Sequence, residues 1–207
     1  MIETLTLPAD DPLAIPRALA ILAQGGLAAF PTDTVYGVGG LAFDPHAIQE
    51  IYQVKGRSIE KAIPILVGAP EQLPLVAPEL NPLARRLAER FWPGPLTLVV
   101  TKHPGLPPEL SIYPTVGVRM PDHPIALALL QRSGPLAVTS ANLSGQASAT
   151  TAEEVQQQLG GRIALILDGS RTPGGLPSTV VDCSGPQPHL LRPGPISLEE
   201  ILAALHS

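Results

Sequence analysis

Thr32, Thr34 and Tyr36 set three hydroxyls around the carboxylate of Asp33 in the segment Pro31-Thr32-Asp33-Thr34-Val35-Tyr36-Gly37-Val38-Gly39. The segment follows the apolar run Leu27-Ala28-Ala29-Phe30, which reads as a buried strand. Pro31 stops that strand, because proline lacks the ladder donor and fixes φ. Gly37 and Gly39 are expected to close a turn, since glycine lets backbone come close to a ligand. A loop at a strand end is where α/β sheets commonly hold ligands. By itself the segment reads equally well as an ordinary polar turn.

Further downstream, Lys55-Gly56-Arg57 and Lys61 form a cationic cluster in a loop after a helix. Ammonium groups and guanidinium forks suit phosphate oxygens, although a solvated charged turn has the same composition. No GxxxxGK[ST] is present, and Gly37-Val38-Gly39-Gly40 lacks the spacing of a dinucleotide fingerprint. Thr139-Ser140-Ala141-Asn142-Leu143-Ser144-Gly145 follows a second apolar run with hydroxyl and amide groups that recognise a ligand without adding charge. Ser178-Thr179-Val180-Val181-Asp182 and Arg192-Pro193-Gly194 are two more polar sites beside apolar runs. Arg119 stands alone in the apolar strand Val116-Gly117-Val118-Arg119-Met120. A charge there is costly unless paired, and the partner is either a ligand carboxylate or an internal Asp or Glu.

The elements that must position these residues alternate in type. Asp11-Pro12 reads as a helix start ending at Gly25-Gly26, and Asp44-Pro45 starts another helix with Ile48, Ile51 and Tyr52 on one face. Ile63–Val67, Leu96–Thr101, Val116–Met120, Leu136–Thr139, Ile163–Leu167 and Thr179–Cys183 read as strands. Leu80–Phe91 and the run from Pro124 through Leu130 read as helices. Thr151-x-x-Glu154 and Ser197-x-x-Glu200 are capping boxes, each opening a helix. The alternation predicts an α/β fold, read as one domain over residues 1–207.

The 207 residues suffice to bury a sizeable core, and 44% are hydrophobic, which excludes a disordered chain. Aromatics are only 3%, so that core must be aliphatic. Twenty-five prolines, spread along the chain, predict many short punctuated elements. The one cysteine, Cys183, excludes an internal disulfide and fits a reducing compartment. The sequence offers no signal-like segment and no membrane span, so a cytoplasmic protein is expected. A net charge of −5 argues against a broad nucleic-acid footprint.

Taken together, these segments resemble the YrdC-like family of threonylcarbamoyl-AMP synthases. The matching pieces run in order: the PTDTVYG loop, Lys55-x-Arg57-x-x-x-Lys61, Trp92-Pro93-Gly94-Pro95-Leu96-Thr97, Val118-Arg119-Met120-Pro121, Thr139-Ser140-Ala141-Asn142-x-Ser144-Gly145, Ser178-Thr179-Val180-Val181-Asp182 and Arg192-Pro193-Gly194. The resemblance implies a strongly twisted mixed α/β sheet with flanking helices and a concave, locally positive cleft, of the short single-domain class. It implies a nucleotidyltransferase that converts L-threonine, bicarbonate or CO2, and ATP into threonylcarbamoyl-adenylate and pyrophosphate. A second cellular system would then transfer the threonylcarbamoyl group to adenosine 37 of tRNA, with direct tRNA contact weak at most. By resemblance, Thr34, Tyr36, Arg119, Ser140 and Ser178 hold threonine. Lys55, Arg57, Lys61, Thr115, Asn142, Thr150 and Arg192 hold ATP, with Lys55 and Arg57 offsetting charge on the leaving pyrophosphate. Mg²⁺ is expected on the ATP phosphates, with no protein metal site. Some family members carry histidine where this chain has Leu66, so threonine must be held here without it.

Two rival readings remain at this level. A non-catalytic RNA-binding module would use the cationic cluster, but the aromatics that stack bases are scarce. A sugar-phosphate lyase on a related fold would want paired carboxylates or metal-spaced histidines, and the five histidines are scattered.

Overall fold

Apolar runs bounded by proline, glycine and short polar side chains become the elements of a mixed sheet with helices on both faces. The computed structural model describes residues 2–206. In chain order it contains β1 (Leu5–Pro8), α1 (Ala14–Ala23), β2 (Ala28–Phe30), β3 (Gly37–Leu41), α2 (Pro45–Lys55), β4 (Ile65–Leu66), α3 (Leu73–Val76), α4 (Pro82–Phe91), β5 (Leu96–Thr101), β6 (Thr115–Arg119), α5 (Pro124–Ser133), β7 (Leu136–Ser140), α6 (Ala152–Leu159), β8 (Leu165–Asp168), β9 (Thr179–Asp182), β10 (His189–Arg192) and α7 (Leu198–His206). The ten strands lie in the order β1-β8-β2-β3-β7-β4-β6-β5-β9-β10. β1 and β2 flank β8 in parallel, β4 and β6 are parallel, and so are β5 and β9. The remaining neighbours are antiparallel.

Successive strand residues face opposite sides of a sheet, and the core divides accordingly. Ala28, Phe30, Leu136, Val138, Leu165 and Leu167 pack on one face under α1 and α5. Ala29, Ala137 and Ile166 point to the other face, under α2, α4, α6 and α7. The core is aliphatic, as the scarcity of aromatics demands. Among the described residues no helix is long and apolar enough to cross a membrane.

Caps account for several helix starts. Asp44 accepts the His46 N–H at 2.9 Å and Asn81 accepts the Ala84 N–H at 2.8 Å, each with proline at the next position. Ser197 and Glu200 form a reciprocal box, with Ser197 N–H to the Glu200 carboxylate at 2.8 Å and Glu200 N–H to Ser197 Oγ at 3.2 Å. The other box is shifted: Thr151 Oγ1 accepts the Glu154 N–H, but the Glu154 carboxylate makes its closest backbone contact with Thr150 N–H, at 2.6 Å.

Some sequence expectations are corrected. The first helix starts at Ala14, not at Asp11-Pro12, because the Asp11 carboxylate accepts the Leu13 N–H in a preceding turn. The strand expected over Ile63–Val67 shortens to Ile65–Leu66, since Pro64 has no N–H and contributes only its carbonyl, to Val138. The glycines after Tyr36 do not close a turn. Gly37, Gly39 and Gly40 form β3, paired with both β2 and β7. Close approach is what they permit: a Cβ on Gly39 would lie 2.4 Å from the Ala137 carbonyl oxygen of β7.

That contact yields a stability prediction. Gly39→Ala must push β3 away from β7, because backbone rather than a mobile side chain stands in the way. We expect a loss of about 1–3 kcal/mol, as for overpacking in a filled core. It should appear as a lower urea midpoint with an unchanged m-value. A midpoint equal to that of the parent protein would show that the two strands can part freely.

Candidate functional site

A cleft of about 310 Å³ lies on the face of the central sheet. Residues two apart along neighbouring strands make its floor: Thr97 and Val99 of β5, Gly117 and Arg119 of β6, Val138 and Ser140 of β7. Gly37, Leu66 and Val180 extend that floor from β3, β4 and β9. The sequence reading placed Ser140 at a strand end and Arg119 within a strand. The pleat aims both from the strands themselves, the connecting segments supply Thr34, Tyr36, Arg57 and Ser178 to the walls, and the end of β10 supplies Arg192.

Arg119 is the most buried of the cleft's charged side chains. It is 5% exposed and its guanidinium is held on three sides. Nε donates to the Gly94 carbonyl at 2.9 Å, Nη1 donates to Thr34 Oγ1 at 3.0 Å, and Nη2 forms an ion pair with Asp33. Of the two partners that the sequence left open, an internal carboxylate is therefore present. Asp33 Oδ1 also accepts the Asp122 N–H at 3.1 Å, while Oδ2 is buried without a partner among the described residues. Burial lowers the Arg119 pKa and Asp33 opposes that shift. Three of the five guanidinium N–H groups are used in this way, so the fork is oriented with donor capacity left.

Two more arginines share the cleft. Arg57 Nε and Nη2 donate to the carbonyls of Lys61 and Ala62, each at 3.0 Å. Arg192 donates to the Ser178 carbonyl at 3.1 and 2.8 Å and to Ser178 Oγ at 3.0 Å. Ser178 Oγ in turn lies 2.8 Å from Thr97 Oγ1. Burial lowers the pKa of both arginines, and the charge of Arg57 lowers that of Arg192 further. Arg192 likewise lowers Arg119. Three guanidinium groups that feel one another make the cleft cationic within a chain of negative net charge.

Of the residues singled out in the sequence, the cleft gathers Thr34, Tyr36, Arg57, Arg119, Ser140, Ser178, Arg192 and Leu66. Tyr36 is among the lining residues, but its ring packs in the core and its hydroxyl is committed to Ser170 and Gly169. Lys55, Lys61, Thr115, Asn142 and Thr150 are not among the lining residues. Lys55 corrects its sequence reading as a loop cation free to meet phosphate. It ends α2, is 2% exposed, and donates to the backbone carbonyls of Ser140 and Asn142. Burial pulls its pKa down to about 7, with a further contribution from Arg57. Lys61 is exposed, and its carbonyl serves Arg57. Thr115 begins β6 two residues before Gly117, on the face that bears the cleft. Asn142 is buried, its Nδ2 donating to Leu143 and Gln146 carbonyls at 2.8 and 2.9 Å. Thr150 Oγ1 donates to Glu154 at 3.1 Å and accepts from Arg171 at 2.6 Å.

Sequence reasoning quoted Gly94 and Thr97 within one motif but gave neither a role: Thr97 is the Ser178 partner and the Gly94 carbonyl seats Arg119. Period-two alternation along Leu96–Thr101 would have marked Thr97, which shares a face with Val99. No local signal links Asp33 to Arg119, since the fold alone joins them. Cys183 is buried and its thiol is pushed up to about 12, mainly by burial, so it offers no thiolate.

The Sua5–YciO–YrdC family model, described as "Telomere recombination", matches residues 20–194. A Bacillus subtilis protein named threonylcarbamoyl-AMP synthase is 44% identical over 96% of this chain and 58% of its own. A Pyrococcus abyssi Sua5 structure, described as complexed with L-threonine, superposes with a TM-score of 0.92 at 42% identity. That match covers 99% of this chain and 61% of the other, so the chain spans about three-fifths of the length of both relatives. Escherichia coli YciO superposes with a TM-score of 0.86 at 26% identity, over 97% of this chain and 100% of its own. The match takes in the PTDTVYG loop, all three cleft arginines and every strand from β2 to β10, and it makes this chain a member of the Sua5–YciO–YrdC family.

Proposed function

We propose that this protein is a threonylcarbamoyl-AMP synthase, joining L-threonine, CO2 or bicarbonate, and ATP into threonylcarbamoyl-adenylate and pyrophosphate. The observation that carries the proposal is the buried fork of Arg119 on the floor of a hydroxyl-lined cleft that also holds Arg57 and Arg192. A guanidinium oriented in this way suits an amino-acid carboxylate, and two further arginines suit phosphates. The names of the Bacillus and Pyrococcus relatives support the reading. The arginines line a cleft rather than a surface stripe, which favours a small anionic ligand over an RNA backbone.

In this reading Thr34, Arg119, Ser140 and Ser178 hold threonine, while Arg57, Arg192, Lys61, Thr115, Asn142 and Thr150 serve ATP. Lys55 acts behind the wall, bracing the carbonyls of Ser140 and Asn142. Leu66, in register with Arg119, presents an apolar surface to the amino acid. The neutral amine of threonine attacks CO2, giving a carbamate and releasing a proton. A carbamate oxygen then attacks the α-phosphorus, and the bond to pyrophosphate breaks. The protein contributes position and charge: Arg57 and Arg192 stabilise the negative charge that builds on the leaving group.

Mg²⁺ belongs to this proposal only as a companion of the ATP phosphates. Among the described residues no three His, Cys, Asp or Glu side chains gather to hold a metal, and Asp33 is already engaged by Arg119. The adenylate would pass to a separate transferase system acting on adenosine 37 of tRNA.

Three measurements test the proposal. Pyrophosphate release should require threonine and bicarbonate together, and equal ATP cleavage without threonine would overturn it. Arg57→Ala should lower turnover roughly ten- to hundred-fold, the value of one charge-assisted phosphate contact, while threonine affinity changes less. An equal loss of both would move Arg57 into the amino-acid site. Arg119→Lys keeps the charge and loses the fork, so threonine should weaken at least tenfold while ATP binding measured alone stays within threefold. Because Lys cannot reproduce the bonds to Gly94, Thr34 and Asp33 together, stability must be followed alongside. A destabilised variant that binds threonine normally would make Arg119 purely structural.

A further inference from the structure

Tyr36 lines the cleft, yet its hydroxyl does not face a ligand. It donates to the Ser170 carbonyl at 2.8 Å and accepts the Gly169 N–H at 3.2 Å, so it grips two consecutive residues just past the end of β8. Ser170 has φ of +66°, in the left-handed region that side chains other than glycine rarely adopt. The Asp168 carboxylate accepts the Ser170 N–H at 2.9 Å and helps to hold that corner. Such a conformation persists where its surroundings over-determine it, and here the phenol is the part that comes from across the molecule.

The chain that leaves this corner runs over the site. Thr172 N–H donates to the Thr150 carbonyl at 2.9 Å, and Gly175 N–H donates to the Thr34 carbonyl at 2.8 Å. Gly174 lies so close that a Cβ there would be 2.6 Å from the Asp33 carbonyl and 2.9 Å from Thr34 Cα. Residues 169–177 are thus laid directly on the segment that seats Arg119, and they end at Pro177 and Ser178 in the cleft wall. The Tyr36 ring is fully buried in the core, and its backbone N–H donates to Ala149 while its carbonyl accepts from Ala141. Its hydroxyl therefore starts from a rigid base.

We propose that Tyr36 is a positioning residue: its hydroxyl clasps the left-handed corner at Ser170, fixing residues 169–177 over Asp33 and Thr34 and setting Ser178 at the cleft. The threonine arm of this inference rests on the function proposed above, whereas the clasp itself does not. It assigns Tyr36 a role through the loop instead of through contact with substrate.

The test uses the full chain with Tyr36→Phe, Ser170→Gly and the double variant. Phenylalanine keeps the buried ring, and glycine adopts the corner conformation without a steric penalty. Amide hydrogen exchange over residues 169–177 reads the clasp, and L-threonine titration reads the site. Tyr36→Phe should speed exchange there about tenfold and weaken threonine about five- to tenfold, the value of one or two neutral hydrogen bonds. Ser170→Gly in the Tyr36→Phe background should restore most of both losses, which a general loss of core stability would not allow. Unchanged exchange in Tyr36→Phe would overturn the clasp. Faster exchange with unaltered threonine affinity would overturn the positioning role. Absence of threonine binding by the parent protein would instead overturn the proposed function, and the exchange rates would still decide the clasp.

Discussion

The site depends on a guanidinium in a place that excludes water. Arg119 lies on the floor of the cleft with a side chain only 7% exposed, beside Asp33 at 12%. A buried cation without a partner costs several kcal/mol, so the chain must surround it before any ligand arrives. The surroundings come from two separate segments: the Gly94 carbonyl after α4, and the Asp33 carboxylate with the neighbouring Thr34 hydroxyl after β2. Asp33 then binds the Asp122 N–H, drawing in the segment ahead of α5. One charge thereby ties the ends of β2 and β6 to the starts of β5 and α5. The same bonds that offset its burial also aim its remaining donors.

A cleft on the face of a sheet needs part of that face left free of helices. α1 and α5 cover Ala28, Phe30, Leu136, Leu165 and Leu167, while the row from Gly37 through Ser140, Leu66, Gly117 and Thr97 is open to the cleft. Small and hydroxylated residues suit that position. Gly37 and Gly117 leave room above the floor, and Thr97 and Ser178 satisfy each other's hydroxyls when no ligand is near. Arg57 and Arg192 stay partly spent on carbonyls of their own surroundings. Each keeps N–H groups for an anion while the rest of its guanidinium is held in place.

Much of this was legible in the chain. The α/β alternation, most strands, and the helices opened by Asp44-Pro45 and Ser197-x-x-Glu200 follow from local patterns that act over a few residues. Leu96–Thr101 was read with its observed bounds because a proline and glycine cluster ends the preceding helix just before it. β1 and β10 escaped because they are four-residue strands with little burial, β10 being exposed throughout, so no alternation marks them. β3 escaped for another reason: its glycines suggested a turn, whereas the neighbouring strand β7 needed their missing side chains. At the site, residue types pointed to anion recognition and the lone arginine of an apolar strand was correctly conspicuous. Which carboxylate meets it, and that Lys55 faces backbone carbonyls, depends on long-range packing that no local pattern encodes.

The contrast between Lys55 and Arg57 shows why charge type in a sequence cannot by itself be read as ligand contact. The two are separated only by Gly56, which takes φ of +57° and ends α2. That reversal turns the chain, so Lys55 remains with the buried face of the helix while Arg57 swings to the cleft wall. An ammonium can satisfy its donors on two peptide carbonyls in a confined space, because its three N–H bonds are compact. A guanidinium has a wider planar fork, and Arg57 can anchor on Lys61 and Ala62 with two donors and still present others. Lysine is therefore suited to bracing the Ser140–Asn142 segment from behind, and arginine to facing an anion from beside it. The left-handed glycine between them lets one short cationic motif do both.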